Sequence, residues 1–236
     1  MKAIVLCGGL GTRLGHLTHE TPKPILEVGG RHFLSYVLDQ IARAPVNEII
    51  LAVGFQWEKI EKVVGKQWGN IPVSYSIEDN PLGTGGAIKK AMQAAKIHET
   101  LVMNGDTLIK MDPEVLWNIG REENADIAMT LKLCEDASRF GIVRIDSKNR
   151  VNGFEEKRLS GGGLINTGLY YIRDSIFSSI KQEAFSFEND ILSLRYRNLK
   201  IIGIKTDAYF IDMGVPDDFS RAQAELLTQQ IQPNFI

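Results

Sequence analysis

Short apolar runs alternate with helical patterns through the first half of the chain, and this alternation constrains the fold more than any other feature. Ala3-Ile4-Val5-Leu6 reads as a buried first strand. Leu34, Val37, Leu38 and Ile41 then recur at helical spacing before a second strand, Glu48 to Val53. Ile60, Val63 and Val64 mark another helix, Val73 to Ile77 a third strand, Gly86 to Ala95 a helix, and Leu101-Val102-Met103 a fourth, buried strand. A βαβαβαβ rhythm of this kind predicts a mostly parallel, doubly wound sheet in a three-layer α/β/α, Rossmann-like arrangement. Ligands of such sheets bind beyond the carboxyl ends of the strands. The glycine-rich loop at Cys7-Gly8-Gly9-Leu10-Gly11-Thr12-Arg13 and the segment Asn104-Gly105-Asp106 both fall at such ends, so one crevice can serve both.

The loop after the first strand carries the first chemical signal. Glycines let backbone amides approach a phosphate closely. Arg13 adds a planar, permanently charged fork, and Lys23 a second positive charge held between Pro22 and Pro24. Together they describe a polyphosphate site. Two standard phosphate fingerprints fail: a GxGxxG starting at Gly9 needs glycine where Leu14 stands, and no GxxxxGK[ST] occurs anywhere. The first failure disfavours an NAD-dependent oxidoreductase, the second a P-loop kinase or ATPase.

With 236 residues the chain suits one well-buried α/β domain, read as a first half over about 1–110 and a second half over about 111–236. The net charge of −2 (27 basic against 29 acidic residues) leaves no footprint for nucleic acid or an anionic membrane. Two cysteines, Cys7 and Cys134, form neither a zinc spacing nor a disulfide framework, which fits a reducing cytoplasm. No run approaches the ~18 apolar residues of a membrane span, and the N-terminus is too short for a signal peptide. The expectation is a soluble cytoplasmic protein, with homo-oligomerisation left open.

The second half reads differently. Gly141 to Ile145 and Arg150 to Phe154 flank the polar turn Asp146-Ser147-Lys148-Asn149, as in a β-hairpin. A strand from Leu164 to Ile172 follows Ser160-Gly161-Gly162-Gly163. The last helix opens with Pro216, and Asp217 and Asp218 just inside it favour its N-terminus. His16, His19, His32 and His98 have no metal-ligand spacing, and Trp57, Trp68 and Trp117 look like packing residues.

Gly8-Gly9-x-Gly11-Thr12-Arg13-Leu14 with Pro22-Lys23-Pro24 resembles the signature of the sugar-1-phosphate nucleotidyltransferases, and the likeness runs from Lys2 to about Gln223. The resemblance implies transfer of a nucleotidyl group from a nucleoside triphosphate to a sugar 1-phosphate, with release of pyrophosphate. It implies that Asp106 and Asp212 hold Mg²⁺, that Arg13 and Lys23 serve the phosphates, and that Leu6, Gly8, Gly9, Gly11, Thr12 and Asn104 line the nucleotide site. In the loop Pro81-Leu82-Gly83-Thr84-Gly85-Gly86-Ala87, Gly83 and Thr84 would surround base and ribose. On the sugar side the resemblance points to Gly141, to Lys157 with either Glu155 or Glu156, and to Asn166 and Thr167. Glu78 is the discriminating position. A carboxylate has only acceptors, which suits the paired donors of guanine, whereas the uracil- and thymine-using relatives typically carry Gln there. The Glu78 block and the closing Phe210-Ile211-Asp212-Met213-Gly214-Val215-Pro216-Asp217-Asp218 most resemble the members that join GTP to D-glycero-α-D-manno-heptose 1-phosphate for bacterial surface polysaccharides. Mannose 1-phosphate with GTP, a hexose 1-phosphate with UTP or dTTP, and a catalytically silent nucleotide-sugar-sensing subunit are the alternatives.

Overall fold

The computed structural model describes residues 1–9, 14, 15, 18, 20–155 and 161–231. In chain order β1 (Lys2–Leu6) leads to a 3₁₀ turn (Lys23–Ile25), the short strands β2 (Glu27–Val28) and β3 (Arg31–His32), and α1 (Phe33–Ile41). Then follow β4 (Glu48–Val53), α2 (Trp57–Val64), β5 (Gln67–Trp68), β6 (Ile71–Ile77), α3 (Gly83–Ala94) and β7 (Glu99–Asn104). The second half adds β8 (Thr107–Ile109), α4 (Pro113–Glu122), β9 (Ile127–Cys134), β10 (Ile142–Ile145), β11 (Val151–Glu155) and β12 (Gly163–Arg173). A π-helix (Phe187–Ser193), β13 (Ile201–Lys205), β14 (Phe210–Asp212) and α5 (Pro216–Ile231) complete it.

One ten-stranded sheet runs through both halves. Its four long first-half strands are parallel, in the order β6-β4-β1-β7, with Ile4 between Ile50 and Val102, and the short β5 lies antiparallel at the β6 edge. The second half joins through β12, antiparallel to β7 on one edge and to β9 on the other, and β13 runs parallel to β9. The expected parallel core is therefore extended into a mixed sheet.

Strand alternation explains the three layers. Ala3, Val5, Ile49, Leu51, Leu101, Met103 and Tyr171 face a core built with α1, α2, α4 and α5. Ile4, Ile50, Ala52, Val102, Tyr170 and Ile172 face the opposite core, closed by Ala87, Ile88 and Ala91 of α3 and by Phe187 and Ile191 of the π-helix. Both faces are dry, which is why these strands read as unbroken apolar runs. Trp117 packs on Tyr171 with ring centroids 5.4 Å apart, and Trp57 on Tyr75 at 6.1 Å, as packing residues should.

The hairpin forms as the sequence predicts. Asp146 Oδ1 accepts from Lys148 N (2.8 Å) and Arg150 N (2.9 Å), and Asn149 turns through φ +60°. Helix α3 begins at Gly83, three residues before the expected Gly86. The physical reason is a long-range cap: the carbonyl of Phe185 accepts from Gly85 N (3.0 Å) and Gly86 N (3.3 Å). The far end of the chain also fastens the near end. Gln223 in α5 accepts from Gly29 N (2.9 Å) and donates to Glu27 O (2.7 Å), clasping the β2–β3 hairpin just after Lys23.

Candidate active site

Two carboxylates far apart in sequence are brought together by a two-stranded ribbon. Asp106 ends the turn after β7, and β8 starts at once with Thr107. Strand β14 pairs antiparallel with β8, so Asp212 stands opposite Thr107, next to Asp106. Met213 N donates to the Asp106 carbonyl at 3.1 Å, which locks the register. The turn itself is tight: Gly105 N donates to Leu6 O (2.9 Å), and a Cβ on Gly105 would stand 2.7 Å from that oxygen. Leu6 thus contributes its carbonyl to holding the Asp106 turn against β1.

Asp106 forms an ion pair with Lys23, whose side chain is 6% exposed against 34% for the aspartate. The Asp212 carboxyl is pushed up from its ordinary value by burial and then by the charge of Asp106; Lys23, the Gly214 amide at 2.7 Å and Arg139 partly oppose this. Asn104, two residues before Asp106, has its carboxamide oxygen buried and unpartnered. It packs on Gly168, where a Cβ would lie 2.7 Å from Asn104 Nδ2. Such an acceptor calls for a ligand hydroxyl or ordered water. Among the described residues no cluster of three or more His, Cys, Asp and Glu occurs. Two aspartates with an amide oxygen nearby form an all-oxygen, sparse donor set. That set fits a hard cation that keeps waters and takes phosphate oxygens, not a zinc site.

At the other side of β1 lies Glu78, whose amide donates to Val53 O at 2.8 Å. Its Oε2 accepts from Leu82 N (2.9 Å), while Oε1 lies 3.0 Å from where a Cβ on Gly8 would be. One carboxylate oxygen therefore orders the entry to α3 and the other faces the glycine loop. Burial pushes the Glu78 carboxyl up, and the Leu82 amide and Lys90 charge oppose it. Gly8 leaves room for this carboxylate, and Gly9 faces open space. Cys7 points away into the core, where burial pushes its thiol up and makes it a poor nucleophile.

The second glycine loop is built largely by packing. Gly83 (φ +69°) has Phe185 O 2.6 Å from its would-be Cβ, and Thr84 Oγ1 donates to Glu188 Oε2 (2.6 Å) while accepting from Phe187 N (2.8 Å). The first-turn amides of α3 at Gly85 and Gly86 are taken by Phe185, so they are not a phosphate cradle.

On the sugar side, Gly141 lies against the Glu155 carbonyl, 3.2 Å from a would-be Cβ, and the Glu155 carboxylate pairs with Arg144. Asn166 donates to Tyr170 Oη (2.5 Å) and accepts from Gly168 N (3.1 Å). Thr167 turns its side chain into the core, so a contact of this segment with a sugar would fall to its backbone and to Asn166. The residue is 1% exposed, and its hydroxyl bonds to Thr130 Oγ1 and to Thr130 O (3.2 Å) in the core. The register of β12 shifts beside it, between Asn166 and Tyr170. Gly11, Thr12 and Arg13, the histidines His16 and His19, and Glu156 and Lys157 lie outside the described residues.

Sequence reasoning missed one charged group here. Arg139 pairs with Asp218, which is 6% exposed, and its guanidinium lies 5.5 Å from the Phe140 ring centroid. Phe140 in turn packs edge-on against Phe210 (6.2 Å), two residues from Asp212. The signal available in sequence was its position directly before Phe140-Gly141.

The family model described as Nucleotidyl transferase matches residues 2–229. The chain is 39% identical over 227 residues to D-glycero-alpha-D-manno-heptose 1-phosphate guanylyltransferase of Aneurinibacillus thermoaerophilus, covering 96% of this chain and 98% of that one. It is 40% identical over 220 residues to the enzyme of the same name from Campylobacter jejuni, covering 93% and 97%. The structure of HddC from Yersinia pseudotuberculosis complexed with GMP-PN superposes with a TM-score of 0.83 at 33% identity, covering 95% of this chain and 99% of that one.

Proposed function

The chain belongs to the nucleotidyl transferase family, and from that premise we propose that it transfers a guanylyl group from GTP to D-glycero-α-D-manno-heptose 1-phosphate. The products are GDP-heptose, for surface polysaccharide synthesis, and pyrophosphate. The observation that carries the reading is the placement of two kinds of acidic site on either side of β1. Asp106 and Asp212 meet Lys23 at one, and the Glu78 carboxylate faces Gly8 at the other. The first-half loops bind the nucleotide and the second-half hairpin and β12 the sugar.

Glu78 Oε1 accepts from the guanine edge and holds the base at Gly8. Lys23, almost buried, lies beside the phosphates being joined. Asp106 and Asp212 hold Mg²⁺, which when bound neutralises phosphate charge in the crevice. Arg13 steadies the leaving pyrophosphate, and Lys157 with one of the neighbouring glutamates takes the sugar phosphate and sugar hydroxyls. A phosphate oxygen of the sugar 1-phosphate attacks the α-phosphorus in line, and the bond to the β-phosphate oxygen breaks. Positioning and charge stabilisation suffice, and no nucleotidyl-enzyme forms.

The test is a matrix of GTP, ATP, UTP and dTTP against heptose, mannose and glucose 1-phosphates, with Mg²⁺ present and pyrophosphate as readout. Pyrophosphate should appear only when both substrates are present, most rapidly with GTP and the heptose phosphate. Exchange of labelled pyrophosphate into GTP without sugar phosphate would refute direct attack. A UTP or dTTP preference would refute the guanylyl assignment.

A further inference from the structure

The crevice has a charge problem that the described residues only partly solve. A sugar 1-phosphate brings negative charge toward Asp106 and Asp212, and Lys23 is already committed to Asp106. Among the described residues Arg139 brings a guanidinium to the turn that carries Asp212: it pairs with Asp218 in the first turn of α5, and the neighbouring Phe140 packs on Phe210, two residues before Asp212. The Arg139 side chain is 40% exposed, whereas that of its partner Asp218 is 9% exposed. A guanidinium offers five N–H donors in a rigid fork, and one carboxylate cannot use them all.

Two further observations give Arg139 freedom to act on a ligand. Asp218 has a second cation, Arg221, at 3.7 Å, so its carboxylate is not left bare if Arg139 turns partly away. The Arg139 backbone is fixed from the other side: Phe140 packs on Phe210, and Gly141 abuts the Glu155 carbonyl at the hairpin. The guanidinium therefore stands where the sugar-side hairpin meets the turn that carries Asp212. Lys59 and Arg144, by contrast, are spent on Glu20 and Glu155.

We propose that Arg139 binds the phosphate of the sugar 1-phosphate, using the N–H groups that Asp218 does not occupy. The inference rests on the reading of the crevice as a nucleotidyl transfer site, and it adds to that reading a residue on the acceptor side. Asp218 holds the fork in place before the substrate arrives, so little side-chain freedom is lost on binding. The nucleotide side is served by other residues, and its affinity should be indifferent to Arg139.

The experiment compares Arg139→Lys and Asp218→Asn with wild type, using full-length protein, GTP and whichever sugar 1-phosphate wild type turns over. Arg139→Lys keeps an ion pair with Asp218 and so keeps the fold, but a single ammonium cannot serve carboxylate and phosphate together. The KM for the sugar 1-phosphate should rise about 10-fold or more, as for loss of charge-assisted hydrogen bonds, with the KM for GTP within about 2-fold. Asp218→Asn leaves the fork free for phosphate, so the sugar-phosphate KM should rise much less while the melting temperature falls. Equal KM increases in the two variants would make the pair a structural clasp and overturn direct binding. So would an unchanged KM in Arg139→Lys, or an effect on GTP alone. A wild type that turns over no sugar 1-phosphate in the matrix overturns the transferase reading and this inference with it.

Discussion

Glu78→Gln is the substitution whose outcome the geometry defines most sharply. In the wild type Oε2 accepts from Leu82 N at 2.9 Å, and only Oε1, beside Gly8, is left for a base. The variant has two ways to place its amide. If the amide oxygen stays on Leu82 N, the NH₂ group meets a guanine donor, and one charge-assisted bond becomes a donor–donor conflict. Loss of that bond costs about 1.5–3 kcal/mol, or roughly 10- to 150-fold in kcat/KM for GTP. If the amide flips, the oxygen serves the base but Leu82 N faces a donor at the start of α3, and an unsatisfied half-buried amide costs about 1–3 kcal/mol. The second arrangement shows as a lower melting temperature rather than as lost specificity. The assay is kcat/KM for GTP, ATP, UTP and dTTP with one accepted sugar phosphate, alongside thermal melts of both proteins. GTP use should fall, and UTP and dTTP should hold or gain, because Gln both donates and accepts as an imide edge requires. Unchanged GTP preference together with an unchanged melting temperature would refute the placement of Glu78 at the base.

Asp212→Asn should lower turnover by roughly 100-fold or more, in line with the ~3–4 kcal/mol typical of losing one preorganised electrostatic group. The same change should stabilise the metal-free protein at neutral pH, as melts in chelator can show. The sign follows from linkage: burial and Asp106 raise the Asp212 carboxyl, so the folded state binds more protons and wild-type stability falls as pH rises from about 3.9 through the raised value. Equal melting temperatures for wild type and variant at pH 4 and pH 7.5 would contradict this. Gly105→Ala drives a Cβ to 2.7 Å from the Leu6 carbonyl and 3.0 Å from Cys7 Sγ, both in the rigid sheet. Overpacking of this kind costs about 1–3 kcal/mol, at ~2–4 °C per kcal/mol for a chain of this size. A variant that melts with wild type would show that the turn can yield.

Strands β1, β4 and β7 are legible because they are dry on both faces, so burial leaves contiguous apolar runs such as Ile49 to Val53 that need no partner information. Asp112-Pro113 is a local start signal for α4, with Asp112 Oδ1 accepting from Glu114 N at 2.9 Å. What could not be read is set by distant partners. The start of α3 depends on Phe185, the π-helix on Thr84, and Asp218 on Arg139, and none of these pairs has a local pattern. The candidate residues Asp106, Asp212 and Lys23 were identified by resemblance, but the ion pair that joins two of them was not. The inward turn of the Thr167 hydroxyl, beside a register shift in β12, has no local pattern in the sequence either.

The clasp of Gln223 on Glu27 and Gly29 bears on the order in which a nascent chain can complete itself. Strands β1, β4, β6 and β7 can pair once Asn104 has left the ribosome, yet the hairpin behind Lys23 has no lid until α5 follows. Asp106 likewise waits for β14 before its neighbouring carboxylate exists. Partial chains thus carry the central strands without the paired carboxylates or the α5 clasp. Nonsense or frameshift lesions near Gln223 should therefore loosen the β2–β3 hairpin at the opposite end of the sequence, while sparing much of the parallel core.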